Sequence, residues 1–370
     1  MALKRGRKGD LGLEVLPLIE MALPEPDEQT LLRDRHMEAA AAVSGAIAAS
    51  LDNVSRLQGW WAQYAFEAVV ISLGAVRLIK FEDIGLYYFD DAAGEVQPPD
   101  FRIVLRDGTQ LLVEVKSVPP SGKRATVRAV DMAAVQRYAD ATGGRLLYAH
   151  YWTIVGQWTL IDPSIFNGSG KRRQVSLEDA FKSNEMSKLL GDGLIATEPP
   201  ITVSVIMDRS KERVVKRLGE GEEIRHFAPD RMQLLNAGKV IIDPLEQQLA
   251  WFLFWNSRWP VTEECQFDED GHLIRVDCVC APELPDEEAA RQIKRQGMAI
   301  VGTLSEMNTR RLLQATTTEG GDIRALRDEP EPALLAKLVP DDFWDRQDRV
   351  LSLWRLNQVP STVATESDSN

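Results

Sequence analysis

The stretch from Pro99 to Lys116, PDFRIVLRDGTQLLVEVK, constrains the fold more than any other part of this chain. Apolar residues alternate with polar ones on either side of a turn signal. Phe101, Ile103 and Leu105 precede it; Leu111, Val113 and Val115 follow it. Alternation of this kind is the period of a β-strand with one buried face. Asp107-Gly108-Thr109 is the turn, and Gly108 can take a positive φ at no steric cost. The stretch is therefore predicted to be a β-hairpin. If both apolar rows face one core, Phe101 pairs with Val115, Ile103 with Val113 and Leu105 with Leu111 across a three-residue loop. A two-residue loop would send the rows to opposite faces.

In that register Asp100 lies directly across from Lys116 and diagonally from Glu114. Opposed side chains are about 5 Å apart and diagonal ones roughly 7–8 Å. The three charges are thus expected together at the open end of the hairpin, on the face away from the apolar rows. Two carboxylates are hard oxygen ligands of the kind Mg²⁺ takes while keeping several waters and binding phosphate. An adjacent amine can orient or deprotonate water, and a bound ion offsets charge on a phosphate. The same three residues also suit a surface hairpin closed by a salt bridge, which would contribute little.

Pro99-Asp100, followed after a hairpin-length gap by Glu114-Val115-Lys116, resembles the PD-(D/E)XK nuclease superfamily. That superfamily includes restriction endonucleases, Holliday-junction resolvases and transposon endonucleases. The order of elements around the motif follows the same plan. A helix is expected from Asn53 or Ser55 to Leu73, with a weak point at Gly59. Strand-like runs Val76 to Phe81 and Ile84 to Phe89 precede the hairpin. A loop over Ser117 to Thr126 leads to a helix over Val127 to Thr142, stopped by Gly143-Gly144. The strand Arg145 to Trp152 follows, and a crossover helix between neighbouring strands implies a partly parallel, buried sheet. The resemblance covers residues 53 to 152 and implies an α/β fold with a restriction-endonuclease-like αβββαβ core and a mixed sheet.

The resemblance also implies roles. Asp100 and Glu114 would bind Mg²⁺, or Mn²⁺ in its place, with the Val115 carbonyl as a third ligand. Lys116 would position the attacking water. Glu67 lies in an otherwise apolar run, AFEAVVISL, where an unpaired charge is costly; it would reach the metal from the helix before the first strand. Gln136, on the crossover helix, would contact phosphate or water. Some members of the superfamily place a glutamine and a tyrosine four apart there, whereas Gln136 and Tyr138 are two apart and lie on different helix faces. Lys123, Arg124 and Arg128, a loop away from the motif, are candidate phosphate contacts. The implied activity is endonucleolytic hydrolysis of DNA in prokaryotic defence, restriction or mobile-element processing. The implied assembly is a homodimer, possible further partners being other subunits of a defence or transposition system. The alternative is a silent nuclease-fold subunit that binds nucleic acid or serves in assembly.

Composition sets the remaining bounds. The net charge of −13 argues against a nonspecific nucleic-acid coat protein but does not exclude an enzyme with local basic patches. Such patches occur at Lys4 to Lys8, Lys123 to Arg128, Lys171 to Arg173, Arg209 to Arg217 and Arg310-Arg311. Three cysteines fit a reducing compartment. The apolar stretch Ala39 to Leu51 is too short for a membrane span, and no apolar region follows the basic N-terminus. A cytoplasmic protein without membrane association is expected.

Four segments are expected. Residues 1–52 are a flexible segment and helical arm, and 53–206 the nuclease domain with an extension. Residues 225–357 form a C-terminal, mainly helical α+β domain for DNA or protein binding, and 358–370 a disordered tail. Within the C-terminal domain, Pro244 to Trp255 is apolar nearly all round and reads as a buried helix. Helices are also expected over Pro285 to Met298, Ile300 to Ala315 and Phe343 to Leu356. Cys265, His272, Cys278 and Cys280 lack the closely paired spacing of common zinc sites. Cys278 and Cys280 alternate with Ile274 and Val276 as strand core, and His150 reads as a hydrogen-bonded core residue.

Overall fold

A computed structural model describes residues 3, 36–83, 87–90, 92, 94–217, 223–346 and 348–356. The expected flexible N-terminal segment, the basic cluster Lys4 to Lys8 and the polar tail lie outside these residues. The chain divides into two compact units. The first comprises the chain up to Gly191 with Leu312–Leu334; the second comprises Asp192–Arg311 with the stretch that begins at Leu335.

The first unit opens with α1 (His36–Leu51) and α2 (Val54–Leu73). Asn53 caps α2, its side chain accepting from the Arg56 N–H at 3.1 Å, and Gly74 ends the helix at φ 75°. Strands β1 (Val76–Phe81), β2 (Phe101–Leu105) and β3 (Gln110–Val118) form an antiparallel meander. β4 (Arg124–Arg128) and α3 (Ala129–Thr142) lead to β5 (Arg145–Trp152), which runs parallel to β3, and β6 (Gln157–Ile161) closes the sheet. The sheet order is β1-β2-β3-β5-β6, so the unit is an α/β structure on a mixed sheet.

β4 leaves this sheet. It pairs antiparallel with β7 (Arg172–Ser176), which precedes the short helices α4 (Leu177–Lys182) and α5 (Met186–Leu190). Sequence periodicity gives no sign of these last three elements.

Helices cover both sheet faces. Phe66 on α2 meets Phe101 at 6.0 Å and Trp158 at 5.4 Å between ring centroids. On the opposite face, Val135 and Ala139 of α3 share a core with Leu112, Leu146, Tyr148 and Trp152. β3 is therefore buried on both sides, and Leu112 and Glu114 are as enclosed as the alternating apolar row. A parallel central strand requires this double covering.

The hairpin differs from expectation by one step of the turn. Phe101 pairs with Val113 and Ile103 with Leu111. The loop is Arg106-Asp107-Gly108, closed by the Leu105 N–H donating to Thr109 O at 2.9 Å. Asp107 Oδ1 accepts from the Thr109 N–H at 2.9 Å, and Gly108 sits at φ 94°. This side-chain turn, with its left-handed glycine, favours the earlier loop. The slip is two residues in register, so every side chain keeps its expected face. Residues 84–86 of the expected second strand lie outside the described residues, and 87–89 are not a strand.

The second unit is built on sheets, not mainly on helices. Ile201–Met207, Pro229–Asn236, Val261–Phe267 and Leu273–Cys280 are the main strands of a five-stranded antiparallel sheet. α6 (Pro244–Asn256) packs on it, capped by Asp243. A three-stranded sheet joins β8 (Leu194–Thr197) to the strands Ala299–Thr303 and Leu353–Leu356. Two expected helices are thereby corrected. Ala299–Thr303 is a strand before the helix Leu304–Thr316, and the last expected helix is a 3₁₀ turn at Asp341–Asp345 followed by the strand Leu353–Leu356. Their apolar residues find partners on β8 from a distant part of the chain, and long-range pairing overrides local helical period.

Among the described residues no helix is long and apolar enough to cross a membrane.

Candidate active site

Asp100 and Glu114 are both nearly enclosed, 6% and 7% exposed. Continuing the β2–β3 register sets them opposite each other. Asp100 Oδ2 accepts from the Val115 N–H at 2.6 Å, and its Oδ1 accepts from Gln63 Nε2 at 2.5 Å. Lys116 Nζ lies 2.5 Å from Glu114 Oε1, with its side chain 44% exposed. The corrected register thus exchanges the expected neighbours: Asp100 faces the other carboxylate, and the amine sits on Glu114.

The electrostatics follow from this enclosure. Burial, and then the nearby Glu114 carboxylate, push Asp100 well above the ordinary carboxylate range, against the pull of Lys116 and the Val115 N–H. Burial works against the Lys116 ammonium, but Glu114 and Asp100 outweigh it and hold its pKa above the ordinary value. Lys116 is therefore charged at neutral pH and acts as a hydrogen-bond donor in this arrangement.

Several residues here escaped the sequence reading. Asp83, two residues past β1, hydrogen-bonds Asp100 and is raised by burial and by Glu114. Its signal was the acidic pair Glu82-Asp83 closing a strand. Glu82 accepts from Arg102 and from the Tyr138 hydroxyl, the latter at 2.7 Å, and its N–H donates to Asp100 O at 2.9 Å. Gln63 sits four residues before Glu67, so the two share a helix face. The parallel β3–β5 register sets Tyr148 beside Glu114 and His150 beside Lys116. His150 is fully buried among Tyr148, Trp152 and Phe166. Neither of its ring nitrogens, nor the Tyr148 hydroxyl, has a hydrogen-bond partner among the described residues. That differs from the hydrogen-bonded core histidine expected. Burial, assisted by the Lys116 charge, pushes the His150 pKa down to about 3, so the ring is neutral.

The remaining candidates are placed as follows. Glu67 Oε2 forms an ion pair with Arg327 Nη2 at 3.4 Å, while the α2 hydrogen bond to Asp100 comes from Gln63. Gln136 donates along its own helix to Asp140 at 2.8 Å and is not brought to the carboxylates. Arg128 is held by Asp131 at 2.6 Å. Lys123 and Arg124 are exposed. His272 is bound to Glu212 Oε2 at 2.6 Å, away from any cysteine ligand set. Cys280 is buried beside Ser257, Cys278 is half-buried and Cys265 exposed.

The donor set suits a hard divalent cation. Two buried carboxylates face each other, one of them destabilised by the other's charge, and a cation between them would relieve that cost. Among the described residues no group of three or more His, Cys, Asp and Glu forms a cage for a metal. A Mg²⁺ held here would keep waters or bind substrate oxygens on its open side.

No protein-family model and no curated protein matches the chain. Among solved structures, the Holliday junction resolvase Hjc of Archaeoglobus fulgidus, an archaeal hyperthermophile, matches at 16% identity with a TM-score of 0.23. The match covers 25% of this chain and 74% of that one.

Proposed function

We propose that the chain is a metal-dependent endonuclease of PD-(D/E)XK type that hydrolyses DNA phosphodiester bonds. The observation that carries this reading is the facing pair of enclosed acids, Asp100 and Glu114, with the Lys116 amine on Glu114. Buried like charges are costly, and a site that retains them is suited to a cation. The order α2, β1-β2-β3, α3, β5 is also the order the sequence resemblance implies.

Asp100, Glu114 and the Val115 carbonyl would hold Mg²⁺ or Mn²⁺. The bound ion supplies Lewis-acid charge and a more acidic water. Gln63 and the Val115 N–H fix the Asp100 carboxylate in orientation. Lys116, charged and half-exposed, donates hydrogen bonds to the attacking water or to the phosphate oxygen that gains charge. Glu67, on α2 and ion-paired with Arg327, would reach the metal as the resemblance implies. Double-strand cleavage would use a homodimer, in a setting of restriction, defence or mobile-element processing.

The test is cleavage of supercoiled, linear and branched DNA, and of RNA, by purified protein with Mg²⁺ or Mn²⁺. Cutting that is lost in Asp100→Asn and Lys116→Met, with the fold intact, supports the reading. If the parent cuts no nucleic acid with either metal, alone or with the products of neighbouring genes, the chain is a binding or assembly subunit instead.

A further inference from the structure

The ribbon of β4 and β7 gathers two basic clusters that are far apart in sequence. Their antiparallel register sets Arg128 beside Arg172, Thr126 beside Gln174 and Arg124 beside Ser176. These pairs make up one face, and Arg124, Thr126, Arg128 and Arg172 on it are exposed. The other face, with Ala125, Val127 and Val175, is buried in the core that also holds Leu112 and Tyr148. Lys123 and Lys171 flank the ribbon and are exposed. Arg124, Arg128 and Arg172 thus lie on one face, with Lys123 and Lys171 exposed at its ends, in a chain whose net charge is −13. Asp131 is the acid bound to this group, through Arg128.

The ribbon is tied to the candidate site. It follows β3 after a short loop, and Tyr148, at the edge of its buried face, is in register with Glu114. Arg128 is clamped to Asp131, whose charge also reaches Lys116. The span from Arg124 to Arg128 is about 13 Å at strand rise, close to the roughly 12 Å width of the DNA major groove. The outward pairs of the ribbon contain no aromatic side chain on which unstacked bases could stack. The surface therefore fits duplex backbone in preference to single strands.

We propose that the outward face of the β4–β7 ribbon, through Arg124, Arg128 and Arg172 with Lys123 and Lys171 at its ends, docks the phosphate backbone of duplex DNA beside the Asp100–Glu114 site. This rests on the nuclease reading for its choice of ligand, but it is tested without cleavage. The assay is fluorescence anisotropy of a 30-bp duplex with full-length Asp100→Asn protein, in EDTA, from 50 to 200 mM KCl. If all five cations engage, the log–log salt slope is about −4.5, and adding Arg124→Ala and Arg172→Ala brings it to about −2.7. Lys182→Ala, a surface control on α4, leaves the slope unchanged.

Parent-like affinity and slope in the double variant, with its melting temperature unchanged, would overturn the proposal. So would absence of duplex binding by the Asp100→Asn protein, or equal ribbon-dependent binding of RNA or an acidic peptide. If duplex binding depends on the ribbon but the parent never cuts, docking stands and the enzyme reading falls. If the parent cuts and ribbon variants bind as the parent does, the reverse holds.

Discussion

Replacing Asp100 by asparagine should stabilise the metal-free protein while abolishing its response to Mg²⁺. Asp100 is held well above the ordinary carboxylate range by burial and by Glu114. An acid whose folded pKa is raised costs no stability below its unfolded value, 3.8. The cost grows as pH rises through the folded pKa and then levels off. Each tenfold difference in proton affinity between the folded and unfolded chain corresponds to about 1.4 kcal/mol. Relief is therefore expected near pH 8, where the folded carboxylate is the disfavoured form.

Asparagine also fits the local hydrogen bonds. Its oxygen can accept from the Val115 N–H. Its amide can donate to Gln63 Oε1, which has no hydrogen-bond partner among the described residues. For a unit of about 200 residues, 1 kcal/mol moves the melting temperature by roughly 2–4 °C. Thermal melts in EDTA from pH 5 to 8 should show Asp100→Asn gaining on the parent as pH rises. In Mg²⁺ at tenfold excess over Kd the parent gains about 1.4 kcal/mol, and the variant gains nothing. The reasoning fails if the variant melts below the parent at pH 8, if its advantage shrinks with rising pH, or if Mg²⁺ stabilises both equally.

Three further outcomes follow from the same geometry. His150 refuses a proton until about pH 3 when folded, against an ordinary value of 6.5, so the native state loses stability as pH falls between these values. Denaturant titrations at pH 7.5, 6 and 5 should show the parent losing up to about 1.4 kcal/mol per pH unit relative to His150→Phe below pH 6.5. Phe66→Ala empties a site packed by Phe101 and Trp158 and should cost about 3–5 kcal/mol by equilibrium unfolding. Glu67→Gln removes the charge paired with Arg327 and should cost about 1–3 kcal/mol, yet the Mg²⁺-induced rise in melting temperature should survive it. Loss of that rise would make Glu67 a metal ligand.

Local chemistry made much of this molecule legible. The alternation through Phe101–Leu105 and Leu111–Val115 settles the hairpin and the faces of its residues, because side-chain direction depends only on the two-residue period. Asn53 and Gly74 mark the ends of α2 as a capped helix should. The adjacency of Glu114 and Lys116 on one face is likewise written in their spacing. The registry of Asp100 was not, because an Asx turn competes with the loop drawn from apolar pairing.

What tertiary structure alone decided is which distant segments meet. β3 takes β5 as its parallel neighbour, which brings Tyr148 and His150 beside Glu114 and Lys116. β4, adjacent to β3 in sequence, pairs instead with β7 and so joins Arg124 and Arg128 to Arg172. Gln63 on α2, which periodicity did not single out, hydrogen-bonds Asp100. Periodicity states which face of a strand or helix is apolar; it carries no information on which other apolar face will cover it. That choice is made by packing and pairing across the whole unit, where burial of many side chains at once outweighs the preferences of any one segment.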